Sequence, residues 1–555
     1  MTDLVTGLVG AGADLEARDY YGMTPLGCAV ENKNAAMVQA LLTAGADPNS
    51  LNSKGTTDVS KTNPFLDAVA VKDKAIISIF LQPAGSRQID PELFGPATIL
   101  AIKSGEVDIL EQILATGKAF SEQNVAFFQD TLPIIHALYE HQPGMIGPLV
   151  KYGAELVPAG HTAAEMMCYA VDREGLEMTR ALLDAGLGAD VSCLEIPLLS
   201  KAVIKGDVDL IALLLERGAD INAVVKTGDR QGWTPLLFAV NENKPEVVDL
   251  LVGKGASAEA LGLGMLEIEV AKPWDQKPKT MTPLLKAAQL GRVGMIRSMI
   301  RAGANIDKTN SEEYTALMVA ARFGQADAVK TLLQLGADAA LVNNHRSGAL
   351  ELAVISENIA VQKLLLGKTG DRERDKAIVL AARLGEFETI DKLLRGDGFK
   401  ARELDRALLA AIRANPENAP PRDLIMQEKE GLVRLKIVKA LAAAGADPST
   451  GAYGSSTFST LINNGYDAAW QKQVALLLNE LGADVNLPDK GSGDTVLREA
   501  ARVENAEMAE LFLKFGADPC LRNKSGGRAL DLVPKDPANK LRQVLIKGGA
   551  EQCEK

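Results

Sequence analysis

The sequence predicts an all-α solenoid: short helix pairs stacked side by side, with β-hairpin fingers between them. Three observations carry this prediction. Helices run into Gly-Ala-acid or a near variant at Gly12, Gly45, Gly153, Gly188, Gly218, Gly255, Gly303, Gly336, Gly445, Gly482, Gly516 and Gly549, and several neighbours are 33 residues apart, as from 12 to 45, 303 to 336 and 516 to 549. Thr-Pro-Leu recurs in phase with these endings. Finally, 50 glycines beside only 4% aromatic residues in 555 suit many small punctuated units better than a few large cores.

The stretch Gly232–Ser257, GWTPLLFAVNENKPEVVDLLVGKGAS, shows how one unit is built. Thr234 can cap a helix beginning at Pro235, which has no N–H to leave unsatisfied and a φ already suited to the helix. Pro245 opens a second helix, and Val247, Val248, Leu250 and Leu251 form its apolar stripe. Gly255 closes it, because the residue after a helix often adopts the left-handed conformation that only glycine takes cheaply. About thirty residues cannot bury such stripes alone, so each unit must cover the next. The wide gaps from 45 to 153 and from 336 to 445 each hold three units with worn endings, near Gly85 and Gly117 and near Gly367 and Gly396. The expectation is about fifteen units and a leading half, in one continuous array: N-terminal repeats over 1–255, a long finger insertion over 256–281, and C-terminal repeats with a helical cap over 282–555.

These units resemble the ankyrin repeat, with its β-turn, Thr-Pro-Leu start, two antiparallel helices and 33-residue period. The best copies are Gly22–Gly45, Gly232–Gly255, Thr282–Gly303 and Thr315–Gly336. Looser copies carry Asn63-Pro64-Phe65, Ile196-Pro197-Leu198 or Arg528-Ala529-Leu530 in the Thr-Pro-Leu place. The family often has a histidine after this motif to tie neighbouring turns together, but Gly27, Leu237 and Leu285 stand there instead. The units around 118–218 and 368–445 are the most worn, and local bending is expected in them. The resemblance implies a non-enzymatic scaffold that binds another protein through its concave face and finger loops, as an inhibitor or an assembly platform. The alternative is the targeting array of an enzyme or effector whose catalytic part lies outside this chain.

Insertions that leave neighbour contacts intact can be added at low cost on loops, so contact residues are sought there. Tyr20 and Tyr21 sit together at the first fingertip. The insertion 222–232 brings Lys226 and Arg230 beside Trp233. The longest finger, between Ala258 and Met281, alternates Leu266, Ile268 and Val270 with acids, as an extended hairpin strand does, and then places Trp274 among Lys272, Lys277 and Lys279. An aromatic ringed by cations suits an acidic partner surface. Asn52–Thr62 is expected to be a polar loop, and 415–431 to extend a second helix backward by two or three turns. Tyr453 and Trp470 are weaker contact candidates.

Chemistry is missing from the pattern. His136, His141, His161 and His345 are dispersed, and no histidine pair has i, i+4 spacing for a metal. No complete phosphate-binding glycine motif occurs. Asp47–Asp58 fails as a calcium loop because Asn52 stands where glycine is required. No catalytic residue, metal or cofactor is expected. Cys28, Cys168, Cys193, Cys520 and Cys553 form no CxxC. Cys520 and Cys553 occupy equivalent positions in successive units, and stacked equivalents exceed the ~7 Å Cα limit of a disulfide, so both are expected to be free. Five cysteines without a CxxC cannot all pair, which favours a reducing compartment, the cytoplasm, with export after loss of a leader as the alternative.

Sixty Lys and Arg against 72 Asp and Glu give a net charge of −12, a poor match for nucleic acid or anionic lipid. No apolar run reaches the ~18 residues of a membrane span. The chain ends in a unit with Leu541, Val544 and Leu545 turned inward and Lys540, Arg542 and Lys547 turned outward, as a terminal cap requires. It starts inside a unit, and the expectation for Leu4, Val5, Leu8 and Val9 is either a cover from a partner or a preceding segment, or a natural half-repeat that frays.

Overall fold

The computed structural model describes every residue except 1, 54–60, 83–86, 122–123, 125–126, 128–131, 265–278, 367, 396–398, 414–423, 452–454, 463–467 and 555. Its contacts divide into two units, Met1–Leu263 and Gly264–Lys555. The first begins with the single helix Thr2–Gly10, followed by seven helix pairs running from Pro25–Glu31 with Ala35–Thr43 to Pro235–Asn241 with Pro245–Gly253. The second holds eight pairs, from Pro283–Gln289 with Val293–Arg301 to the 3₁₀ turn Ala529–Leu532 with the helix Lys540–Lys547. The expected fifteen units and leading half are therefore present among the described residues.

Local chemistry sets where the helices begin and end. Thr24, Thr234, Thr282 and Thr315 are extended and buried, and their hydroxyls accept from the backbone N–H groups of Gly27, Leu237, Leu285 and Met318 at 3.1, 3.3, 3.1 and 3.3 Å. Such a cap contributes about 1 kcal/mol. Gly255 adopts φ +92° after the second helix, as its place in the sequence requires. Helices of seven to nine residues do not persist alone in water, so lateral packing must supply their stability. In the second unit, Pro283–Gln289 packs on Ala316–Arg322 and that on Ala349–Ile355, while Val293–Arg301, Ala326–Gln334 and Ile359–Leu366 form the parallel row of second helices. Alanines 287, 288, 320 and 321 are fully buried, which lets the first helices approach closely.

The missing family histidine has a substitute at Gly27. A Cβ there would fall 2.5 Å from the side chain of Asn52, which comes from the next finger. Asn52 is fully buried; its Oδ1 accepts from the backbone N and the hydroxyl of Thr24 at 3.3 and 3.1 Å, and its Nδ2 donates to Asp67 Oδ2 at 3.1 Å. Glycine is needed at position 27 because asparagine fills the space.

Both worn stretches are irregular. In the first, Ala163–Tyr169 runs into a π-helical turn, Ala170–Glu174. In the second, the first helices lengthen to Asp371–Leu384 and Ala401–Arg413, 14 and 13 residues against the usual seven. The helix Leu424–Ala443 carries the expected backward extension, whereas 414–423 lies outside the described residues. The tip of the Asn52–Thr62 loop, residues 54–60, is outside them too, and its base is a short antiparallel ladder pairing Asn52 with Thr62 and Ser53 with Lys61.

The cysteines require a correction. Cys520 and Cys553, expected to be free, form a disulfide with Cα atoms 5.2 Å apart. In an interior repeat the chain beyond the closing glycine leads into the next finger. After Gly549 it coils instead into a 3₁₀ helix, Ala550–Glu554, and this tighter path brings Cys553 back to Cys520. A second disulfide joins Cys168, on the first helix of the fifth pair, to Cys193 in the hairpin before the sixth, with Cα atoms 5.6 Å apart.

Candidate functional site

The fingers fix the placement of the expected contact residues. At the first tip, Asp19 Oδ1 accepts from the backbone N–H of Tyr21 and of Met23 at 2.9 and 2.8 Å, and Gly22 turns the chain at φ +72°. Arg18 donates to the carbonyl of Gly22 at 3.2 Å and to that of Leu51 in the following finger at 2.6 Å. This frame holds Tyr20 and Tyr21 outward, 84% and 64% exposed, with their rings edge to face at 5.4 Å.

The 222–232 insertion behaves differently. Lys226 and Arg230 are exposed, but the Arg230 guanidinium lies 5.3 Å from the Trp233 ring centre and 5.5 Å from that of Phe238. Trp233 is 7% exposed and stands edge to face on Phe238 at 5.0 Å. The contact role expected of Trp233 is thus corrected to packing, since the ring is spent on its own repeat and Arg230 covers it. Trp470 is also buried. Lys272, Trp274, Lys277 and the strand expected over 266–270 lie outside the described residues, as does Tyr453. Lys279 opens the short strand Lys279–Met281. The tyrosine pair and the Lys226–Arg230 pair belong to the first and seventh fingers and do not form one site.

A feature that sequence reading missed lies in the second unit, where the lengthened helices replace fingers. Arg372, Lys376, Val379, Leu380 and Arg383 recur at i, i+4, i+7, i+8 and i+11 of the helix Asp371–Leu384, and so share one face. Together with His345, Arg346 and Glu351 before it and Glu403 and Arg406 after it, they line a groove of about 550 Å³. Half-exposed Val379 and Leu380 give it an apolar floor. Glu403 is held by Arg406 at 2.8 Å, and Lys376 pairs with the buried Glu373 at 3.6 Å and donates to the carbonyl of Arg346. Burial, countered mainly by Lys376, raises the carboxyl pKa of Glu351 above its ordinary value. Burial and the nearby Glu403 likewise raise that of Asp375, another residue of the groove.

Among the described residues, no group of three or more His, Cys, Asp or Glu side chains is arranged to hold a metal, and no helix is long and apolar enough to cross a membrane. At the N-terminus, Leu4 and Leu8 of the half-repeat are 61% and 53% exposed beside a cavity of about 460 Å³ shared with Pro25, Met37 and Leu41.

Capped helix pairs in phase, joined by turns, define a helical-repeat protein. The chain is an ankyrin-repeat protein: a model of ankyrin repeats in three copies matches residues 166–261 and 265–343, and a single-repeat model matches 21–53 and 492–524. It is 23% identical over 536 residues to "Ankyrin repeat and KH domain-containing protein mask-1" of Caenorhabditis elegans, covering 94% of this chain and 16% of the relative. It is 31% identical over 192 residues to the mouse "B-cell lymphoma 3 protein homolog", covering 33% and 38%. Over 58 residues it is 50% identical to the mouse "2-5A-dependent ribonuclease", covering 10% and 8%. The chain thus spans well under half the length of each of these relatives. The likeness supports a role in protein interaction.

Proposed function

We propose that the chain is a non-enzymatic scaffold that grips a partner protein through its fingertips and the face of its first helices, acting as an inhibitor or an assembly platform. The observation that carries this reading is the Tyr20–Tyr21 pair: two large rings held in water by a turn whose own hydrogen bonds are satisfied. Exposed aromatics on a rigid support are typical interface anchors, because they bury much area and lose little side-chain freedom. The test is capture from native extract with wild type and with Tyr20→Ser plus Tyr21→Ser. Specific partners should be lost or depleted several-fold with the double variant, and recovery of the same proteins in equal amounts would remove the basis of the proposal. The second reading, a targeting array for an enzyme, is favoured by the local likeness to a ribonuclease and needs a catalytic part outside these 555 residues.

For the compartment, the two cysteine pairs favour an oxidising environment over the cytoplasm expected from spacing alone. Alkylation of protein from its native source before reduction, followed by mass analysis, should label Cys28 and spare the other four cysteines. Labelling of all five would return the protein to a reducing compartment.

A further inference from the structure

We infer that the groove along the helix Asp371–Leu384 is a docking site for an extended acidic segment of a partner protein, with carboxylates on Arg372 and Arg383 and an aliphatic side chain between them on Val379 and Leu380. This rests on the protein-binding reading above and names the partner chemistry for one part of that surface.

Charge is the first support. Five cationic side chains, Arg346, Arg372, Lys376, Arg383 and Arg406, line the groove against the carboxylates of Glu351, Asp375 and Glu403 and the buried Glu373 beneath Lys376, a surplus of one on a chain whose net charge is −12. Two of the five are occupied, Arg406 by Glu403 and Lys376 by the buried Glu373 beneath it. Arg346, Arg372 and Arg383 are exposed and form no salt bridge within 4 Å among the described residues, Arg383 acting on Glu351 only at longer range. A local positive field on an acidic molecule selects acidic partners and repels copies of its own surface.

Shape is the second support. Arg372 and Arg383 lie eleven residues, about three turns, apart on one helix face, and Val379 and Leu380 fall between them. Three turns rise about 16 Å, which five or six extended residues span. An occupant with acids at both ends and an aliphatic residue in the middle would match cation, apolar floor and cation in order. The volume of about 550 Å³ accommodates a few side chains. Among the described residues no Phe, Tyr or Trp lines the groove and His345 at its edge is a single ring, too few to stack successive bases, so the geometry favours a peptide over a nucleic-acid strand.

The test uses the full-length protein and a fluorescent eight-residue probe of the pattern Glu-Glu-Glu-Leu-Leu-Glu-Glu-Glu, followed by anisotropy. Binding should be saturable and should weaken steeply between about 50 and about 300 mM salt, as exposed charges are screened. The same peptide with lysine for glutamate should not bind. Arg372→Glu with Arg383→Glu should lower affinity by about tenfold or more, and Arg372→Gln with Arg383→Gln by less. Lys436→Glu with Lys472→Glu, exposed on second helices, matches the charge change away from the groove and should leave affinity unchanged. If the reversal pair does not fold, the glutamine pair decides. Failure of wild type to bind the probe, equal losses in groove and control variants, or tighter binding of a short single-stranded oligonucleotide would each overturn the inference. None of these outcomes touches the tyrosine capture experiment, so the two readings fail separately.

Discussion

The regular repeats over 282–366 and the worn ones over 371–443 solve one structural problem in two ways. The first helices Pro283–Gln289, Ala316–Arg322 and Asp371–Leu384 each end in a turn through a left-handed glycine, Gly291, Gly324 and Gly385, and the carbonyls at that end must be satisfied. In the regular stretch, the residue just before the next second helix does this. Gln325 donates to the carbonyl of Gln289 at 3.1 Å and Asn358 to that of Gly324 at 2.8 Å, each lying where a side chain on Gly291 or Gly324 would otherwise sit. In the worn stretch, the second helix begins at Leu424. Arg434, ten residues into that helix and 4% exposed, donates instead to the carbonyls of Arg383 and Ala382 at 3.1 and 3.5 Å. The first worn stretch has its own device, the Cys168–Cys193 bond next to its π turn. Irregular repeats therefore survive where a stronger local tie replaces the lost short one.

The largest expected effect separates these two ties. Arg434→Leu removes a buried charged donor and leaves two carbonyls at a helix C-terminus without it, at a cost of about 2 to 3 kcal/mol. Gln325→Leu removes a neutral, half-buried donor and should cost about 1 kcal/mol. Urea unfolding of the two variants, with amide exchange read over 377–384, measures the difference. Equal losses would mean that the buried arginine contributes no more than the short cap, and the contrast between the stretches would collapse.

The same contrast separates what the sequence reveals from what it conceals. Period, caps and closing glycines depend on residues within one unit, and so the helix pairs, Thr234 and Thr315, and the extension of the helix up to Ala443 were all legible. The Cys520–Cys553 bond was not, because it follows from the 3₁₀ coil that the chain takes after Gly549 in place of the path into a finger. Trp233 was misjudged because its burial depends on Phe238 and Arg230 closing over it, a tertiary arrangement that spacing does not encode. The groove was missed for another reason. Three of its charges, Arg372, Asp375 and Lys376, lie in the run DRERDK, which reads as a solvated helix start, and only the recurrence of 372, 376 and 383 around Val379 and Leu380 signals a shared face.

A smaller effect sharpens the account of the worn stretch through its buried polar chain. Thr389 Oγ1 lies 2.6 Å from Gln362 Oε1 and 2.7 Å from Glu386 Oε2, and Gln362 Nε2 donates to Glu386 Oε2 at 3.3 Å. Gln362 and Thr389 are buried, and burial raises the carboxyl pKa of Glu386 against the opposing hydrogen bonds from Thr389 and Gln362. A carboxyl whose folded pKa exceeds its unfolded value favours folding while protonated, and that contribution is lost as pH rises from about 4.5 through the raised value. At neutral pH the ionised group is therefore a liability, and Glu386→Gln keeps an acceptor for Thr389 while removing the charge. The helix Phe387–Leu394 starts beside it and favours a negative charge there, which offsets part of the gain. The net expectation is a rise in Tm of about one or two degrees at pH 7 that disappears below about pH 4. A variant as stable as wild type at both pH values would show the carboxylate to be solvated, and the polar chain would then be a surface feature rather than a tie between repeats.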